Sequence, residues 1–169
     1  ANFYRVLDMI KERFNCNAVP VQLPIGEENT FRGIVDLVNN NAIVYYDDLG
    51  KDVRVEEIPE EMKERAEEYR SNLIESIVEM DEALMEKYFE EGDLTEEEII
   101  QGLRTRCLRM EVIPMLCGSS YKNKGVQFLL DAVINFLPSP LDVDHVKGTN
   151  PDTGEEEVRK TGDDQPFAG

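Results

Sequence analysis

At Pro59 the chain changes character, and that change limits the folds open to it. Before Pro59, short apolar stretches at Val19 to Ile25, Thr30 to Val38, Ala42 to Tyr46 and Val53 to Val55 are separated by turn formers: Gly26-Glu27-Glu28-Asn29, Asn39-Asn40-Asn41 and Gly50. These read as four short strands, mostly hairpin-connected, which predicts a small antiparallel or mixed sheet. After Pro59, the residues Met62, Ala66, Tyr69, Leu73, Ile77, Met80 and Leu84 recur every three or four positions, the spacing of one helix face. Pro59 suits a first helical position, because its missing N–H would have no intrahelical partner there. Thr95 and Glu98 carry a capping-box signature for a further helix that turns Ile99, Leu103 and Met110 inward. Helices covering a small sheet make an α+β arrangement over residues 15–110.

The flanks read differently. Phe3, Val6, Leu7, Ile10 and Phe14 fall at helical spacing, ended by Asn15-Cys16-Asn17. On the far side, the apolar run Val112 to Cys117 passes through a polar loop beginning Gly118-Ser119-Ser120-Tyr121 into an amphipathic segment, Val126 to Leu137. The order is strand, turn, helix. A Gly and two Ser at the carboxyl end of a buried strand expose backbone N–H groups where a helix begins, and such groups hold acceptors. Taken alone, the pattern is ordinary loop chemistry.

Composition narrows the chemistry. No apolar run approaches the ~18 to 20 residues that cross a bilayer, and Ala1 to Phe14 is too mixed in charge for a signal peptide. The three cysteines, Cys16, Cys107 and Cys117, are odd in number and far apart, so reduced thiols in the cytoplasm are expected. A cysteine nucleophile needs a histidine base. His145 is the single histidine, and it lies in a polar segment beyond Pro138-Ser139-Pro140, whereas Cys117 ends an apolar strand. A structural thiol is therefore the expectation, and the scattered ligands give no zinc spacing.

Net charge is −18, and 18 of the 36 acidic residues lie between Glu56 and Glu98, against Lys63, Arg65, Arg70 and Lys87. That excludes a nucleic-acid-binding face. Glu68, Glu75, Glu79, Glu82 and Glu86 follow one another at helical spacing, opposite the apolar stripe. A solvated outer face is the plain reading. However, like charges four apart, as in Glu75 and Glu79, repel by a few tenths of a kcal/mol, and a basic partner would relieve them. Asp81 is also a candidate N-cap, which would start a new helix and take Glu82 and Glu86 off the stripe.

The segment CGSSYKNKGVQFLLDAVINFLPSPLDV, Cys117 to Val143, resembles translation elongation factor G. In that family Cys-Gly-Ser-Ala, a bulky residue and Lys-Asn-Lys-Gly-Val-Gln run into a Leu-Leu-Asp-Ala-Val helix closed by Leu-Pro-Ser-Pro. ANFYRVLDMIKERF at the start, PVQLPIG from Pro20, FRGIVDL from Phe31, and NLIES then LMEKYFEEGDLTEEEI between Asn72 and Ile100 extend the resemblance over nearly the whole chain.

The resemblance implies part of a GTPase that drives ribosomal translocation, with GTP or GDP and Mg as cofactors of the parent protein. Of five nucleotide motifs only the last is present. It implies backbone donors at Ser119 and Ser120 for the guanine oxygen, after Gly118 and with Tyr121 flanking the base; Ser120 stands where the family usually has Ala. No GxxxxGK followed by Ser or Thr, no Asp-x-x-Gly and no Asn-Lys-x-Asp occurs, so neither a bound nucleotide nor hydrolysis is expected of this fragment alone.

Residues 1–14 and 111–138 are expected to be the remnant of the GTP-binding domain, and residues 15–110 an insertion subdomain. Residues 139–169 are expected to be a connector with at most short extended pieces, leading to an absent second domain; Gln165 replaces the Glu of the family's Asp-Glu-Pro-Phe. The implied partner is the ribosome, specifically the stalk protein, with Glu68, Glu75, Glu79 and Glu82 as the contact surface. The alternatives are a free-standing acidic interaction module and the matching part of a release-factor or ribosome-protection GTPase.

Overall fold

The apolar stretch Val19 to Ile25 is not one strand but two. In the computed structural model, which describes residues 2–142 and 145–160, β1 (Ala18–Pro20) and β2 (Gln22–Ile25) meet at Val21. Val21 donates its N–H to the Met115 carbonyl at 2.9 Å and accepts from the Leu37 N–H at 3.1 Å, so the chain changes partners there. β1 runs parallel to β6 (Ile113–Met115), pairing Ala18 with Ile113 and Pro20 with Met115. β2 instead joins β3 (Gly33–Asp36), β4 (Asn41–Tyr45) and β5 (Val53–Glu56) in an antiparallel sheet of order β2-β3-β4-β5. The expected strand Thr30 to Val38 is shorter at both ends: Thr30 closes a 3-10 turn, Glu28–Thr30, and the strand itself covers only Gly33–Asp36. Asp36 closes the β3–β4 hairpin, its Oδ1 accepting from the N–H of Val38 at 2.9 Å and of Asn39 at 3.2 Å.

The helices are α1 (Phe3–Phe14), α2 (Glu60–Val78), α3 (Glu82–Glu91), α4 (Glu96–Leu108) and α5 (Val126–Phe136). The apolar period that runs unbroken through Leu84 is interrupted. Asp81 caps α3, its Oδ1 accepting from the N–H of Ala83 at 3.1 Å and of Leu84 at 3.0 Å. Met80 lies beyond the end of α2 and is 67% exposed, and Met110 lies beyond α4, at φ 60°, and is 83% exposed. The helical turn that would bring each inward has already ended. Thr95 caps α4 as its sequence predicts, with the Glu98 side chain accepting the Thr95 N–H at 2.9 Å.

Leu23 and Val35 from the sheet, Leu37 just past β3, Leu73 and Ile77 from α2, and Ile99 and Leu103 from α4 form one core with Val112, Ala132 and Phe136. The segment 15–110 and its flanks therefore share a single interior. Arg70 of α2 stitches it at the rim, donating to the carbonyls of Leu37 and Val38 and pairing with Asp93 at 2.8 Å. Gly102 lets α4 approach α2 closely, since a Cβ there would lie 2.1 Å from Ile77 Cγ2. The architecture is α+β, with small sheets, one of them a parallel pair, packed by helices.

The chain divides into two compact units, residues 1–136 and 137–169. In the second, where a connector is expected, β7 (His145–Thr149) and β8 (Glu156–Lys160) pair antiparallel. Asn150 shapes their turn: its Oδ1 accepts the Asp152 N–H at 2.9 Å and its carbonyl accepts the Gly154 N–H at 2.8 Å. Gln165 lies outside the described residues.

Candidate functional site

The loop after β6 folds back on itself. Ser119 donates its N–H to the Lys124 carbonyl at 2.8 Å and accepts the Lys124 N–H at 3.0 Å, which leaves Ser120–Lys122 as a single 3-10 turn at the tip. Two glycines make this closure fit. A Cβ on Gly118 would stand 2.7 Å from the Lys124 carbonyl oxygen, and one on Gly125, at φ 84°, would stand 2.9 Å from the Cys117 carbonyl oxygen.

Of the two donors expected to face a ligand, that of Ser119 is spent within the loop. The Ser120 N–H opens the 3-10 turn and has no backbone acceptor among the described residues, as is usual for the first amides of a helical turn. Tyr121 is 99% exposed, a free aromatic face beside that donor. The loop is thus built to offer one backbone N–H and one ring at its tip.

Sequence reasoning missed the groups that hold the loop from below. Tyr45 of β4, nearly fully buried, accepts the Gly125 N–H on its hydroxyl at 2.8 Å. Its ring packs with Ile34 and Ile43, against Cys117 and Phe128. Burial pushes the Tyr45 hydroxyl above its ordinary value, the Gly125 N–H works against that, and the nearby Cys117 adds to it, so the group stays protonated near neutrality. Lys124 is also buried, with Nζ 5.8 Å from the Tyr45 ring centre. No local signal could have revealed these contacts, because β4 and the loop lie far apart in sequence.

Burial pushes the Cys117 thiol up to about 12. An activated nucleophile needs the opposite shift. Among the described residues, no three His, Cys, Asp or Glu side chains gather to hold a metal ion, and no helix is long and apolar enough to cross a membrane.

The acidic stripe is divided. Glu68 and Glu75 are exposed on α2, Glu79 sits just past its end, and Glu82 opens α3. Glu79 reaches Arg106 of α4 at 3.8 Å; that guanidinium is 9% exposed and also meets Glu111 at 2.9 Å. A groove of about 630 Å3 runs between α2, α3 and α4, floored by Ile77, Leu84 and Gly102 and edged by Asp81, Glu97 and Glu98.

α5 is apolar on two sides. Ala132 and Phe136 are buried, whereas Leu129, Leu130, Val133 and Ile134 are 44–74% exposed.

No family profile matches the chain. Among solved structures, it is similar to a Thermus thermophilus protein designated ttk003000868, with a TM-score of 0.71 and 28% sequence identity. The match covers 86% of this chain and 22% of that one. The chain thus spans less than a quarter of the length of the solved protein it resembles.

Proposed function

We propose that this chain is the part of a translational GTPase of the elongation-factor-G kind that carries the last guanine-contacting loop and an insertion facing the ribosomal stalk. The observation that carries the reading is α5. A helix that is apolar on both sides belongs in an interior, yet only its Ala132–Phe136 side is covered. In the same unit, β1 and β6 form a parallel pair of two strands, an arrangement that occurs where further strands and helices complete a larger sheet. Both features fit the edge of a nucleotide-binding domain whose remaining strands come from more of the same protein. The strand-loop-helix order, the open Ser120 donor and the likeness to a fraction of a much longer chain agree with it. In the parent, GTP hydrolysis would use phosphate- and Mg-binding motifs that this sequence does not contain; this part supplies guanine contact and partner contact. The cytoplasm, where ribosomes work, is the corresponding location.

The loop alone binds weakly in this reading. A few hydrogen bonds of about 1 kcal/mol each fall well short of the ~8 kcal/mol that micromolar affinity requires. Titrating the isolated chain with GDP and with ADP, followed by amide NMR, should shift Ser120 and Tyr121 with GDP in the millimolar range and leave them still with ADP. An equal response to both nucleotides, or a micromolar dissociation constant, would contradict the proposal.

A further inference from the structure

The turn between β4 and β5 lies directly under the loop. Asp47 fixes that turn, its carboxylate accepting from the N–H groups of Lys51 at 2.8 Å, Asp52 at 3.0 Å and Leu49 at 3.3 Å. At its crest Gly50 is buried at φ 67°, and a Cβ there would come within 2.2 Å of the Asn123 carbonyl oxygen. Asn123 returns a hydrogen bond from Nδ2 to the Leu49 carbonyl at 3.5 Å. At the end of β4, where the same turn begins, the Tyr45 hydroxyl takes the Gly125 N–H. Two independent contacts, a backbone approach only glycine permits and a buried hydroxyl, thus seat the same eight residues, Gly118 to Gly125.

We infer that the β4–β5 hairpin is the seat that sets the loop's shape, with Tyr45 as its positioning residue for guanine contact. The inference rests on the proposed function for what the loop binds. The physical step is short. Tyr45 fixes Gly125, Gly125 fixes the Lys124 carbonyl, and that carbonyl holds Ser119, the residue from which the open Ser120 N–H projects. Without the hydroxyl, Gly125 has a buried N–H with no acceptor, and the loop must shift to find one. Because the hairpin belongs to the four-stranded sheet, guanine contact depends on a part of the chain that never touches the nucleotide.

The test uses the full chain, amide hydrogen exchange and the GDP titration, with Tyr45→Phe and Gly50→Ala as variants. Tyr45→Phe keeps the ring and its packing; Gly50→Ala acts from the other contact. Both are expected to speed exchange at Ser119, Lys124 and Gly125 by about fivefold or more, the equivalent of losing one hydrogen bond, with Val35 and Ile43 unchanged as the folding control. Both should also reduce the GDP-induced shift at Ser120, a change that a purely structural role would not produce. Faster exchange confined to Gly125, or a Ser120 response to GDP equal in wild type and both variants, overturns the inference. If GDP moves no loop amide even in the wild type, the guanine reading fails, and the positioning role for guanine contact falls with it; the exchange data then report only on loop seating.

Discussion

Glu75 and Glu79 stand four residues apart on one acidic stripe, yet a lysine should behave differently at each. Glu75 is exposed, so Glu75→Lys should change stability by no more than ~0.5 kcal/mol. Glu79 lies 3.8 Å from an Arg106 guanidinium that is 9% exposed. A lysine there replaces an attraction with a repulsion beside a charge that water can hardly screen, at a cost of about 1–2 kcal/mol; this is discounted from fully buried cases because Glu79 itself faces solvent. Urea unfolding of the two variants checks this, and equal midpoints would contradict it. The helical spacing correctly made Glu75 and Glu79 neighbours. It carried no information about Arg106, which arrives from another helix.

At the level of elements, what was legible is what is local. Phe3–Phe14 and the start of α4 were readable because periodicity and the Thr95–Glu98 box are written within a few residues. The break at Asp81 was also local, but there a capping side chain competes with an apolar period that runs on to Leu84, and the cap prevails. The change of partners at Val21 was not legible at all, because it is decided by Met115 on one side and Leu37 on the other. The close crossing of α2 and α4 belongs to the same class. Gly102 reads as a helix-weakening residue, yet the space above it is occupied by Ile77. Gly102→Ala gains up to ~1 kcal/mol of helix propensity, against a typical overpacking cost of about 1–3 kcal/mol. With Ile77 only 2% exposed and branched at Cβ, overpacking should win. The variant is expected to lose about 1–2 kcal/mol in thermal or urea unfolding; a stabilised variant would show that the helices can part.

Across the whole molecule, the loop's place after a strand was legible in Gly118 to Tyr121, while its seat on Tyr45 and Gly50 was not. The two-sided α5 shows how a sequence pattern and a structure combine: the apolar residues were visible as an amphipathic segment, but only the fold reveals that half of them lie bare. Central to the proposed role is an acidic face that the chain would offer to a basic partner on the ribosome. Electrostatic encounter is read most directly from association rates, which steering raises and salt suppresses. The deciding measurement is the rate at which the chain associates with the ribosomal stalk protein, for wild type and Glu75→Lys, at low salt and at ~0.5 M, where exposed charges act over only a few ångströms. A several-fold slower association of the variant at low salt, with the difference gone at high salt, is the predicted result. Equal rates at both salt concentrations would contradict the claim and leave the stripe as solvated surface.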